Sequence, residues 1–196
     1  MNTILDTKEW GLQTCDDKDQ LIFPDPGNFH SKRFYEANGC AVLKIDTGCQ
    51  HTGGSEYPRT ELKQKAVWDS KSAQQMRFSV AVLQLPKKKP EVCFAQIKTG
   101  NAEMQLLLHG HELICRHFDK KHTPMGHYQL GDWVDVEVQS THGIVYVKIG
   151  GSTCSFKADF NGASFKCGAY MQSNAAIEGN KATECEVHLK NLVLNK

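Results

Sequence analysis

Trp133-Val-Asp-Val-Glu-Val138 and, past the turn pair His142-Gly143, Ile144-Val-Tyr-Val-Lys-Ile149 alternate apolar and polar residues with a period of two. Side chains two apart on an extended chain point the same way, so each run reads as a strand with one face for a core. The same pattern, rich in β-branched and aromatic residues, recurs in Ala41–Asp46, Met76–Leu85, Val92–Lys98, Glu103–Leu108 and Glu112–Phe118. It returns in Thr153–Lys157, Phe165–Gln172 and Glu184–Leu194. Thr99-Gly-Asn101, Gly131-Asp132, Gly150-Gly151 and Asn161-Gly162 are turn signals set between these runs. About ten to twelve short strands at such spacing predict an all-β chain, a two-sheet antiparallel β-sandwich or jelly roll with a concave substrate groove. One turn of helix near Ser70 to Gln75 is the only helical candidate.

The 196 residues, without a repeat or a Pro/Ser-rich linker, are expected to form one domain spanning 1–196. Lys and Arg number 23 against 22 Asp and Glu, a balance that argues against a nucleic-acid partner. No apolar stretch approaches the roughly 20 residues of a membrane span, so no membrane partner is expected. The opening Met1-Asn-Thr-Ile-Leu-Asp-Thr-Lys-Glu-Trp10 lacks the apolar centre of a signal peptide. The expectation is a secreted, extracellular monomer whose leader is absent from this chain. Eight cysteines leave two readings open, disulfides (Cys40 with Cys49 closing a short loop) or buried free thiols at 93, 115, 154, 167 and 185. No CxxC pair is present, so a thiolate zinc site is not expected, and no metal or cofactor is assigned.

Three segments carry polar faces unlike the loose mixture of an ordinary solvent-facing strand. In Tyr57-Pro-Arg59-Thr-Glu61-Leu-Lys63, the residues Arg59, Glu61 and Lys63 share a face. In Phe94-Ala-Gln96-Ile-Lys98, Gln96 and Lys98 do so. In Ser164-Phe-Lys166-Cys-Gly168-Ala-Tyr170-Met-Gln172, Lys166, Tyr170 and Gln172 align, with Gly168 leaving room among them. Side by side in one sheet, these residues suit proton abstraction next to a carboxylate. A uronate loses its C5 proton only if the neighbouring carboxylate is neutralised, which Arg59 and an amide such as Gln96 can do. A tyrosine or lysine then moves the proton, provided that burial or nearby positive charge brings its pKa within reach. Against this stand the ordinary readings of a surface Arg–Glu pair and solvated lysines.

The same segments resemble the signature blocks of polysaccharide lyase family seven, the alginate lyases, and of related jelly-roll uronate lyases. Those blocks read approximately Arg-Ser/Thr-Glu-Leu-Arg, Gln-Ile/Val-His and Tyr-Phe-Lys-Ala-Gly-x-Tyr-x-Gln. Here they stand as Arg59-Thr-Glu-Leu-Lys63, Gln96-Ile-Lys98 and Ser164-Phe-Lys-Cys-Gly-Ala-Tyr-Met-Gln172, in the family's order. Trp10-Gly-Leu and the closing strand look like the family's ends. The resemblance implies a lyase that cuts a uronate polymer by β-elimination and leaves a 4,5-unsaturated end. It implies Tyr170, Lys98, Arg59 and Gln96 as catalytic, with Arg59 and Gln96 on the carboxylate and Tyr170 moving the proton. Glu61, Lys63, Lys166 and Gln172 are implied as substrate-binding, with Glu61 orienting Arg59. Two departures stand out. Lys98 replaces the family's His and looks more like family fourteen, which shifts the expectation from guluronate toward mannuronate or glucuronan linkages. Ser164 replaces the usual Tyr.

Other clusters weigh less. His109, His111, His117, His122 and His127 form a His-rich strand and loop more readily than a metal site; an intermediate alternative is that one of them lines the cleft and assists proton transfer. Lys87-Lys-Lys89 reads as an exposed loop. A non-catalytic carbohydrate-binding module on the same sandwich is the runner-up, because fold alone does not separate binders from enzymes. A glycoside hydrolase ranks third. It needs two carboxylates about the bond, and only Glu61 stands in the motif set.

Overall fold

The computed structural model describes residues 5–119 and 121–195, which fold into two antiparallel sheets. In chain order the first strands are β1 (Trp10–Cys15), β2 (Leu21–Ile22), β3 (Phe34–Ala37), β4 (Cys40–Asp46), β5 (Arg59–Gln64), β6 (Gln74–Gln84) and β7 (Glu91–Lys98). Next come β8 (Ala102–His109), β9 (Glu112–His117), β10 (His122–His127), β11 (Val134–Thr141), β12 (Ile144–Ile149) and β13 (Ser152–Lys157). The chain ends with β14 (Ser164–Met171), the helix α1 (Ala175–Glu178) and β15 (Glu184–Asn195). One sheet runs β10-β9-β8-β7-β14-β5-β1-β2 and the other β13-β12-β11-β6-β15-β4-β3. Their inner faces bury one apolar layer that includes Trp10, Leu43, Leu62, Met76, Phe94, Leu106, Phe165 and Val187. At roughly 25 cal/mol per Å² of apolar area removed from water, that layer is the main favourable term in folding.

Every strand read from alternation is present. The strands not read from it are β1, β2, β3 and β10, each short or lying at or near the border of its sheet. The His-rich segment after Glu112–His117 is thus the border strand β10 rather than a loop. Pro124 sits in it, and its register against β9 shifts between Pro124 and Gly126. A proline cannot donate to a ladder, and a border strand is where a sheet tolerates that.

The helix expected near Ser70 to Gln75 is not there. The Asp69 carboxylate accepts from the Lys71 and Ser72 N–H groups and closes a turn, and Gln74 already begins β6. The helix lies instead at Ala175–Glu178, where Asn174 caps its start and Gly179, at φ +77°, ends it. The Lys87–Lys89 loop is tied down although Lys87 and Lys88 are exposed. The buried Glu178 carboxylate accepts from the Lys88 and Lys89 N–H groups at 3.0 and 3.1 Å.

Cys49 bonds Cys15 rather than Cys40, joining the end of β1 to the loop after β4. Closing that 34-residue separation removes about 3–4 kcal/mol of unfolded-chain entropy. Cys93, Cys115, Cys167 and Cys185 are buried free thiols, while Cys40 and Cys154 are half-buried.

Gly168 has φ +136° at a register shift in β14. A Cβ there would meet the Thr60 carbonyl oxygen at 2.6 Å and Leu43 Cδ2 at 2.7 Å. The room this glycine leaves is therefore toward the β5 backbone and the core, not among the polar side chains on the outer face. Gly168→Ala is expected to destabilise the fold by about 2–3 kcal/mol, read as a lower urea midpoint with an unchanged slope.

Candidate active site

The strands β5, β14 and β7 are neighbours, and their registers place the three polar faces in one field. Tyr170 lies opposite Arg59, Gly168 opposite Glu61 and Lys166 opposite Lys63. On the other side of β14, Lys166 lies opposite Gln96 and Ser164 opposite Lys98. The row continues through Gln105 on β8 to Arg116 on β9. These side chains stand on the outer face of the eight-stranded sheet, along a groove of about 770 Å³. Gln13, Ser55, Arg59, Gln96, Lys98, Lys166, Tyr170 and Gln172 line it, with His117, Phe118 and His122 toward one end.

Glu61 organises the floor. It is fully buried and its two oxygens are shared among three neighbours. Gln96 Nε2 donates to Oε1 at 2.6 Å, while Arg59 Nη1 and Lys166 Nζ lie 3.3 and 3.7 Å from Oε2. Lys166 Nζ also donates to Gln13 Oε1 at 3.1 Å. The Arg59 guanidinium lies over the Tyr170 ring, 3.7 Å from its centroid, a cation–π contact that fixes both groups. Ser55 Oγ lies 2.9 Å from the Tyr170 hydroxyl and locates its tip.

Several groups on this floor remain open to a ligand. Among the described residues, Arg59 Nε, Gln96 Oε1 and Arg116 Nε are buried without a hydrogen-bond partner. Such atoms cost about 1–3 kcal/mol each when left unpaired, and a polar substrate lying in the groove would relieve that cost. The basin is electropositive: among the described residues, Arg59, Lys98, Lys166 and Arg116 stand against two carboxylates, the buried Glu61 of the floor and Glu103 on the lining. Burial, then the charges of Lys166 and Arg59, pulls the Lys98 ammonium below the usual lysine range. Its Nζ donates to the Gly100 carbonyl. Burial also lowers Lys166, against the pull of Glu61.

The structure gathers Arg59, Glu61, Gln96, Lys98, Lys166, Tyr170 and Gln172, whereas Lys63 is exposed beside Phe23, Pro24 and Asp25 at a neighbouring depression. Gln172 turns its amide back to the Tyr170 carbonyl at 3.3 Å. Sequence reasoning missed Ser55, Gln13, Gln105 and Arg116. For Arg116 the signal was available, since alternation in Glu112–Phe118 sets it on the face opposite Cys115. Among the described residues, the five histidines of this segment do not gather at one point. His109 pairs with Glu91 and His127 with Glu112, both at 2.9 Å, and His111 reaches the Tyr128 carbonyl. The two that border the groove are His117 and His122.

A sandwich with an electropositive, tyrosine-bearing groove on one sheet is the architecture of a polysaccharide lyase. The family model described as alginate lyase matches residues 5–196, and the chain belongs to that family. The alginate lyase AlgAT5 of polysaccharide lyase family 7 superposes with a TM-score of 0.88 at 26% identity, over 98% of this chain and 96% of that one. An alginate lyase from Corynebacterium sp. gives 0.87 at 24% identity, over 97% and 95%. The family 7 alginate lyase A1-II' gives 0.86 at 21%, over 98% and 96%. Variants of A1-II' have been crystallised with a product (GGG) and with a substrate (GGMG). At these identities the last two likenesses show the fold. No curated protein matches the chain.

Proposed function

We propose that this lyase cleaves mannuronate-rich alginate in preference to guluronate-rich alginate, by β-elimination beneath Tyr170. The observation that carries the reading is the buried set Arg59–Glu61–Gln96 against Tyr170, with Lys98 where the resembling block has His. Arg59 and Lys98 bring positive charge to the carboxylate of the sugar at the cleavage point. The second amide hydrogen of Gln96, not used by Glu61, adds a donor. Together they stabilise the enolate-like charge that develops as the C5–H bond breaks.

Tyr170 then moves the proton. It takes hydrogen from C5 and returns it to the departing 4-oxygen; the C5–H and C4–O bonds break and the C4–C5 double bond forms. In mannuronate the C5 hydrogen and the 4-oxygen lie on one side of the ring, within reach of a single group. In guluronate they lie opposite, and a second base is needed. Lys98 held as a cation is not that base. Glucuronan shares the mannuronate relation and is the second candidate substrate. The acid–base tyrosine, which a binding module does not need, supports catalysis in this groove over mere adhesion.

The test is the ultraviolet absorbance of the unsaturated product with polymannuronate, polyguluronate and glucuronan in parallel. Polymannuronate is expected to be cut about tenfold faster than polyguluronate. Equal rates, or a guluronate preference, would overturn the assignment. Since the Lys98 charge is lost as pH rises through its lowered pKa, activity falls on the alkaline side. Lys98→Arg stays charged and moves that fall to higher pH, whereas Lys98→His narrows the preference for polymannuronate. A pH–rate profile of each variant on both polymers checks this.

A further inference from the structure

One end of the sandwich holds a group that the groove chemistry does not use. Cys115 and His117 are two apart on β9, and Cys154 comes from β13 of the opposite sheet; His117, at the end of β9, borders the groove and also stacks on Phe156 of β13. One ligand atom from each of the three lies within 4.8 Å of the others. We propose that Cys115, His117 and Cys154 bind one thiophilic divalent cation, zinc or an ion of like chemistry, which clamps the two sheets together beside the groove.

Geometry and chemistry both fit. Tetrahedral zinc, with Zn–S near 2.3 Å and Zn–N near 2.0–2.1 Å, sets neighbouring ligand atoms about 3.5–3.8 Å apart. Side-chain adjustments of about 1 Å reach that from the present positions. Two thiolates and a neutral imidazole balance a divalent charge, so the filled site is neutral where a bare cation would be costly. Cys115 is buried, but Cys154 and His117 are half-buried, which gives the ion a way in and leaves a fourth position for water.

The imidazole is already held. It stacks on Phe156, with centroids 4.1 Å apart and planes at 17°. Thr123 Oγ1 lies 3.2 Å from its Nε2. Donating Nε2–H to the threonine leaves Nδ1 to coordinate, the outer-shell arrangement typical of metal-bound histidine. The place also has a need for a clamp. β10 and β13 are border strands of opposite sheets, each with one paired neighbour, and they meet here, with the Cβ position of Gly126 3.7 Å from Ser152 Oγ. Between the two β9 ligands stands Arg116, whose Nε is one of the unpartnered groove donors. An ion at this site would steady that arginine from behind.

The test uses the full chain, prepared without oxidant or reductant so that the Cys15–Cys49 disulfide stays closed, stripped with a chelator, titrated with cobalt(II) and then competed with zinc. One equivalent is expected to give a thiolate-to-cobalt charge-transfer band and the visible bands of tetrahedral cobalt. Cys154→Ser should abolish the charge-transfer intensity expected of two thiolates and weaken binding by roughly a hundredfold, and Thr123→Val should weaken it roughly tenfold. Cys40→Ser, remote from the trio, should change nothing. If Cys154→Ser does not fold, as judged by its melting curve without metal, His117→Gln carries the comparison. Absence of the band, a band that survives both ligand variants, or a Cys115–Cys154 disulfide in protein never exposed to reductant would overturn the proposal.

Discussion

Tyr170→Phe is expected to lower turnover about a thousandfold while KM stays within about threefold of wild type. The variant removes one oxygen and little else. The ring, and with it the surface on which Arg59 stacks at 3.7 Å, remains. Ser55 loses a partner 2.9 Å away, but Ser55 is only half-buried and water can take its place. The substrate contacts proposed for Arg59, Gln96 and Lys98 are untouched, so ground-state binding is expected to persist and the loss to fall on the step in which the proton moves. Ser55→Ala gives the scale for positioning alone. Removing one neutral hydrogen bond is expected to cost about fivefold in turnover, with the tyrosine still present. Single-turnover rates on polymannuronate, with binding measured separately, check both. A Tyr170→Phe enzyme within tenfold of wild type would mean that another group moves the proton.

The sequence and the structure agree most closely where a local rule was enough. Period-two alternation placed Ile144–Ile149 on a strand with the same bounds that the fold has, because each residue there has one neighbour strand on either side and one apolar face. It also set Arg59 with Glu61, Gln96 with Lys98, and Lys166 with Tyr170 on common faces. Alternation says nothing of which strands are neighbours. The sequence offered only that the three segments could lie side by side in one sheet; that β14 lies between β5 and β7, far from both in the chain, is seen in the registers. Tertiary features with no local signature were out of reach. Ser55 sits in an irregular loop and matters only because Tyr170, 115 residues away, comes to it. Cys15 and Cys49 pair because β1 and the loop after β4 meet, and Cys40 is the nearer cysteine only along the chain. The direction in which Gly168 makes room follows from its positive φ, which spacing alone does not encode.

Glu61→Gln is expected to cost about 3–5 kcal/mol of stability and most of the activity. The substitution keeps size and shape, so the loss isolates charge. In the wild type one fully buried carboxylate faces two buried cations, Arg59 at 3.3 Å and Lys166 at 3.7 Å, and receives the Gln96 amide at 2.6 Å. Neutralising it leaves both cations desolvated without a counter-charge. Lys166 has the easier escape, because an arginine holds its proton and a lysine need not. Burial already sets the folded pKa of Lys166 below its unfolded value, and loss of Glu61 pushes it further down. The unfolded chain therefore binds more protons between the two values, and stability rises with pH across that window. The deficit of Glu61→Gln should accordingly be largest at neutral pH and shrink on the alkaline side. Adding Lys166→Met, which removes the stranded ammonium, should recover part of the loss and flatten its pH dependence. Urea unfolding of the single and double variants at neutral and alkaline pH reads all of this. A deficit below about 1 kcal/mol, the range of an exposed ion pair, would mean that water reaches Glu61 and that the groove floor is not held by its charge.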